Sequence, residues 1–211
     1  MSNTPKIKWL LVDIGDVLLL KNRDRSKSFA ELLAEELEVP LELAQEINKA
    51  HYSTMDIKYI AEEDFIAMLK KDLDYDAPSD VYSYFSRAYA TQVHSNTEFL
   101  QFLDEVRSHG IKTAVLSNTI AIYSQIQEEA GISQNGGFDP ILYSWEVEMR
   151  KPDTEIFELA LQKLDADPDE VVFIDDKDEH LQGARQVGLR TLLFENTESA
   201  ISQIRTLVSR N

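Results

Sequence analysis

Short apolar runs separated by helix-length segments constrain this chain more than any other feature of its sequence. Trp9-Leu10-Leu11-Val12 runs straight into Asp13, with Gly15 close behind, and similar runs recur at 113–116, 141–143, 171–174 and 191–194. Runs of about four residues bounded by Gly or polar groups are too short for buried helices and read as strands covered on both faces. The segments between them carry helical periodicity. Residues 96–109 place Phe99, Leu100, Phe102, Leu103 and Val106 on one face, with Ser95 and Glu98 as the expected capping pair. Gly110, Gly131 and Gly188 fall where helices should stop. Strands alternating with helices predict an α/β fold, a Rossmann-like doubly wound parallel sheet.

Residues 20–94 break the alternation. They hold no strand-like run and read as four helices, around 28–38, 41–53, 61–73 and 79–92, with Pro40 and Pro78 at helix starts where a missing N–H costs little. An all-helical stretch after the first strand predicts an inserted cap. The expected division is a catalytic core of 1–19 and 95–211 and a helical cap of 20–94.

Bulk properties narrow the function. The 211-residue chain has a net charge of −17, a field that repels nucleic acid and anionic lipid and demands a locally basic site for any anion. It contains no cysteine, which excludes disulfides, thiolate metal sites and cysteine nucleophiles. No apolar run approaches the ~18 residues of a membrane span, and a cytoplasmic protein acting on a small phosphorylated metabolite, as a monomer or homodimer, is expected.

In an open parallel sheet, ligands bind beyond the carboxyl ends of the strands. The residues there are Asp13-Ile14-Gly15-Asp16-Val17, Ser117-Asn118-Thr119, Arg150-Lys151-Pro152-Asp153 and Asp175-Asp176. Acids, a hydroxyl and a lysine converging on one edge are what phosphoryl transfer requires: a nucleophile, a divalent cation and groups that neutralise phosphoryl oxygens.

These motifs, in this order, resemble the haloacid dehalogenase superfamily along almost the whole chain. The stretch 150–157 is similar to that family's lysine motif. Phe173-Ile174-Asp175-Asp176, followed by Gly183-Ala184-Arg185 and Gly188, resembles the helical-cap phosphatase branch, including bacterial sugar-phosphate (glucose-1-phosphate-like) phosphatases. The resemblance implies a Mg²⁺-dependent phosphohydrolase in which Asp13 is the nucleophile and forms an aspartyl-phosphate. It implies Mg²⁺ held by Asp13, the Gly15 carbonyl and Asp176, with Asp175 assisting directly or through water. Ser117 would donate to a phosphoryl oxygen, Lys151 would neutralise one and keep Asp13 ionised, and Asn118 would touch substrate or brace the loop.

One position departs from the pattern. The family's usual second aspartate, the general acid, is Gly15 here, and an acid follows one place later as Asp16. A substrate with a stable leaving group, such as an anomeric sugar phosphate, suits that loss. Lys21, Arg23, Arg25 and Lys27 offer a basic run beside the cap, and His51, Tyr52, Lys58 and Tyr59 lie between cap helices. The alternatives are a non-catalytic or regulatory protein on this scaffold, a metal-free dehalogenase, and a phosphosugar mutase. The Asp175–Asp176 pair argues against the dehalogenase, and Gly15 against the mutase.

Overall fold

A computed structural model describes residues 6–22, 27–55, 60–134 and 136–208, with the backbone alone for 52–55, 124 and 125. In chain order the elements are β1 (Trp9–Val12), β2 (Leu19–Lys21), α1 (Phe29–Leu37), α2 (Leu41–Met55), α3 (Glu62–Leu73), α4 (Val81–Gln92), β3 (Val93–Ser95), α5 (Thr97–Ser108), β4 (Lys112–Ser117), α6 (Ser124–Glu129), β5 (Phe138–Tyr143), α7 (Ser144–Val147), α8 (Thr154–Leu164), β6 (Val171–Asp175), α9 (Asp178–Gln186), β7 (Arg190–Leu193) and α10 (Thr197–Val208). A 3₁₀ turn, Ala121–Tyr123, precedes α6.

The long strands form one parallel sheet in the order β5-β4-β1-β6-β7. From β1 the chain moves outward through β4 to β5, then returns to build β6 and β7 on the other side. The direction of winding therefore reverses at β1, which puts the switch point at Asp13. Strand periodicity of two sends Leu10, Val12, Val172 and Ile174 into one core with α5 and α10. Trp9, Leu11, Val171 and Phe173 enter a second core with α8 and α9. Both faces of the sheet are thus covered, which is why its strands are continuously apolar. Each fully buried Leu, Ile or Phe contributes about 1.5–3 kcal/mol.

Helices α1 to α4 have a third core of their own. Leu33, Ile47, Phe65, Leu69 and Phe85 are buried together there, and Ile120 and Tyr123 join them from the loop after β4. Ser28 and Glu31 close a reciprocal capping box on α1. His51 lies wholly inside this cluster, stacked on Phe85 with ring centroids 4.0 Å apart, and desolvation pushes its pKa down to about 3. It is a packing residue, remote in character from a leaving-group contact. Tyr52's side chain, Lys58 and Tyr59, like Arg23 and Arg25, lie outside the described residues.

Two local expectations are corrected. Asn96, and not Ser95, caps α5: its side chain accepts from Phe99 N at 3.3 Å and donates to the Val17 carbonyl at 2.9 Å. Ser95 belongs instead to an antiparallel ribbon of β2 with β3, which carries the chain into and out of the helices. At three residues a strand, the ribbon is too short to leave a pattern in the sequence.

Candidate active site

Register delivers the acids. Val12 pairs with Ile174 across β1 and β6, and with Val115 across β1 and β4, so all three strands end at one level. Asp13 N donates to the Ile174 carbonyl at 2.9 Å, which sets Asp13 beside Asp175. One carboxylate oxygen from each of Asp13, Asp175 and Asp176 lies within 4.8 Å of the others. Such a cluster is held together only by a counter-charge.

Lys151 supplies part of it. Its ammonium is 2.8 Å from Asp13 and 2.7 Å from Asp175, and it donates to the Leu116 carbonyl at 3.0 Å. Its side chain has no exposed surface. Burial works against the lysine's charge, but the two carboxylates outweigh it and hold the pKa above the ordinary lysine value. Three acceptors match the three protons of an ammonium, so the group is fully occupied.

Asn118 explains how the lysine is aimed. Its amide oxygen accepts from Lys151 N and its amide nitrogen donates to the Lys151 carbonyl, both at 2.9 Å. Asn118, expected to touch substrate or to brace the loop, thus braces the lysine loop through both ends of its amide. Ser117, one residue earlier, is buried at the end of β4, next to Asn118, which lines the cleft with Asp13, Gly15, Lys151 and Asp176.

The two adjacent acids differ sharply. Asp175 is buried and surrounded by donors: Lys151 on one oxygen, Lys177 N at 2.9 Å on the other, and His180 Nδ1 at 3.0 Å from both. Burial alone would raise its pKa, yet Lys151 and His180 outweigh burial and hold it at about 2. Asp176 is half-buried, and desolvation followed by the charges of Asp13 and Asp175 pushes its pKa up to about 6. Burial likewise raises Asp13, against the pull of Lys151. An acid destabilised in its charged form by other acids is a ready cation ligand. Asp176 answers that description and Asp175 does not.

His180 is the residue that the sequence reading missed. It sits on the first turn of α9, buried, five positions after Asp175. The Asp-Asp-x-x-x-His spacing, with a helix beginning directly after the acids, was the available signal. Asp16 adopts a left-handed conformation (φ 55°), and its carboxylate pairs with Lys21, as Lys27 pairs with Glu35 at 2.5 Å. The described members of the basic run are therefore neutralised locally.

The haloacid dehalogenase-like hydrolase family model matches residues 7–188, from before β1 to the end of α9. The chain belongs to this family. Among curated relatives, a ribulose-1,5-bisphosphate 5-phosphatase of Halopiger xanaduensis is 31% identical over 115 residues, 54% of this chain and 47% of that protein. Bifunctional epoxide hydrolase 2 of Mus musculus is 34% identical over 57% of this chain and 22% of its own length. An (S)-2-haloacid dehalogenase of Pseudomonas sp. strain YL is 30% identical over 48% and 44%. The chain spans at most about half the length of these relatives. A haloacid dehalogenase family enzyme of Bacteroides thetaiotaomicron superposes with a TM-score of 0.76 at 21% identity, covering 95% of this chain and 99% of that one. A second structure of that enzyme is a complex with magnesium and inorganic phosphate (TM-score 0.73, 22% identity, 92% and 98% covered). As a haloacid dehalogenase-like hydrolase, the chain shares its sheet and flanking helices with enzymes whose reactions differ, so the site must carry the choice among them. Among the described residues, no helix is long and apolar enough to cross a membrane.

Proposed function

We propose that this hydrolase is a Mg²⁺-dependent phosphatase that cleaves a small phosphomonoester, a sugar phosphate by class, through an aspartyl-phosphate on Asp13. The observation that carries the reading is the convergence of Asp13, Asp175 and Asp176, one carboxylate oxygen of each lying within 4.8 Å of the others at the carboxyl end of the sheet. A divalent cation would relieve the repulsion among these acids. The oxygen-only donor set fits a hard cation that retains waters. Asp13, the Gly15 carbonyl and Asp176 would hold it, with Asp175 acting through Lys151 and His180. When bound, Mg²⁺ supplies positive charge against the phosphoryl oxygens and the leaving oxygen.

The protein's own residues do the rest. An Asp13 carboxylate oxygen attacks phosphorus as the bond to the leaving oxygen breaks, and water then attacks the same phosphorus, releasing phosphate and restoring the carboxylate. Lys151, with every N–H engaged, acts as a fixed charge: it keeps Asp13 ionised and offsets the incoming phosphoryl group. Ser117 and its neighbouring backbone are the proposed phosphoryl donors. With Gly15 at the acid position and Asp16 tied to Lys21, the leaving group takes its proton from water, which favours esters of good leaving groups. We further propose that α1 to α4 serve as the cap, and that the protein works in the cytoplasm on a small metabolite.

The test is phosphate release from a panel of phosphomonoesters with Mg²⁺ and with EDTA, for wild type and Asp13→Asn. Turnover that needs the metal and is lost in the variant supports the proposal. Absence of turnover in folded, Mg²⁺-loaded protein sinks it in favour of a regulatory role. Turnover of a 2-haloacid in EDTA sinks it in favour of a dehalogenase.

A further inference from the structure

Among the described residues, three lysines line the cleft at the carboxyl end of the sheet: Lys21, Lys151 and Lys177. Two of them are committed. Lys151 gives its three protons to Asp13, Asp175 and the Leu116 carbonyl, and Lys21 is paired with Asp16. Lys177 differs: its ammonium makes no ion pair or hydrogen bond among the described residues. The two acids that follow it in sequence leave it alone. Asp178 is engaged by Gln182 at 2.7 Å and by Arg185 at 3.2 Å, and the Glu179 carboxylate lies 3.9 Å from His180 Nε2. The side chain of Lys177 is exposed, but its backbone is fixed. Its N–H donates to Asp175 at 2.9 Å, and its carbonyl accepts from His180 N at 3.1 Å as α9 begins. The residue is thus rooted on the same acid that Lys151 grips, with its head uncommitted.

A cleft of about 100 Å³ is well below the ~300 Å³ of a pocket that holds a whole small molecule, and suits the phosphoryl group alone. That group brings close to two negative charges and three strong acceptor oxygens. Lys151 offsets part of the charge but has no proton left to donate. Both ends of the Asn118 amide are spent on the Lys151 backbone, and His180 Nδ1 faces Asp175. We infer that Lys177 is a phosphoryl ligand: its ammonium donates to a non-bridging oxygen of the substrate's phosphoryl group, and of the phosphate product. This rests on the phosphatase reading and divides its positive charge in two. The buried Lys151 holds the nucleophile, and the exposed Lys177 holds the substrate.

The experiment pairs calorimetric titration of the Mg²⁺-loaded protein with inorganic phosphate and kcat/KM for p-nitrophenyl phosphate, glucose 1-phosphate and glucose 6-phosphate. Lys177→Gln should weaken phosphate binding by about threefold to tenfold, the strength of one partly exposed charge-assisted contact, and cut kcat/KM by a similar factor for every ester. Lys177→Arg should recover most of both. Lys112→Gln removes the same charge at the opposite end of β4, over the Trp9 ring, and should change neither. Unchanged phosphate affinity in Lys177→Gln, or a loss matched by Lys112→Gln, overturns this inference alone. So does a loss confined to one ester, which would assign Lys177 to the leaving group. Phosphate binding that depends on Lys177 in a protein that hydrolyses no ester upholds the contact and overturns the phosphatase reading. A wild type that neither binds phosphate nor turns over any ester overturns both.

Discussion

Replacing Lys151 by Met keeps the volume of the buried stem and removes its charge, leaving Asp13 and Asp175 facing each other without their ammonium. Removing one partner of a buried ion pair costs about 3–5 kcal/mol, because the remaining charge stays desolvated. With about 2.1 cal/mol/K of unfolding entropy per residue over 211 residues, that is a fall of about 7–11 °C in Tm. The pH dependence separates this cause from lost packing. In wild type, Asp175 has a folded pKa of about 2, below its unfolded value. Its stabilisation of about 2–3 kcal/mol is therefore present at neutral pH and lost only as pH falls from ~4 towards ~2. Without Lys151, both carboxyls prefer the proton in the fold, so the variant gains stability relative to wild type as pH drops from 8 to 5. Thermal melts in EDTA across that range should show the gap narrowing. Adding Asp175→Asn should recover part of the loss by removing one of the two stranded charges. A gap below about 2 °C, or one constant from pH 8 to 5, would refute the claim that Lys151 is the counter-charge of this cluster.

Other consequences are as direct. Asp176→Asn should raise the Tm of metal-free protein at pH 7.5 by the equivalent of about 1 kcal/mol, after discount for partial exposure, while abolishing the stabilisation that Mg²⁺ confers. The sign follows from a folded pKa of about 6, above the unfolded value: the carboxylate costs stability above that pH and nothing once both states are protonated. A metal-free melt that falls would contradict it. His51 has a depressed folded pKa of about 3, so wild type loses stability as pH falls below ~6.5, where the unfolded histidine takes up a proton. His51→Phe should be more resistant than wild type by about 2 kcal/mol at pH 5, read as the urea midpoint at pH 5 against pH 7.5. A β-carbon on Gly183 would meet the Pro152 carbonyl at 2.1 Å and the Phe157 ring at 2.9 Å. Gly183→Ala should therefore lose about 2–3 kcal/mol and, by displacing the Lys151 loop, lose turnover as well. Normal kinetics in a destabilised variant would uncouple that loop from α9.

The parts of the fold written in strong local patterns are legible in the sequence. The buried parallel strands show as unbroken apolar runs, and the helices expected at 28–38 and 61–73 are found at Phe29–Leu37 and Glu62–Leu73. The acids and Lys151 are legible because strand ends in this architecture meet at one edge, so their convergence needs no knowledge of side-chain geometry. What is lost is whatever depends on rotamers or on distant partners. Asn118 reads as a contact to substrate or to the loop, and only the structure shows its amide spanning the Lys151 peptide. His180 is one of four histidines in the chain and acquires meaning only when α9 turns it towards Asp175. The division of labour within Asp175–Asp176 is invisible to spacing, since only burial and the count of donors tell the two apart. The β2–β3 ribbon escapes because its pairing partners lie more than seventy residues apart.

The helical insertion does not own its core outright. Ile120 and Tyr123 complete it, and they follow directly on the Ser117-Asn118-Thr119 segment that grips Lys151. A population of sequences drifting under selection for a new leaving group would be expected to change the insertion first, since its Tyr89 lines one cavity with Asn118 and Lys151. Each such change also bears on Ile120 and Tyr123, and through them on the segment that aims the lysine. Diversification of the insertion is then tethered: replacements that keep the seat of those two side chains are free to accumulate, and those that disturb it are screened through the chemistry before any benefit in recognition is felt.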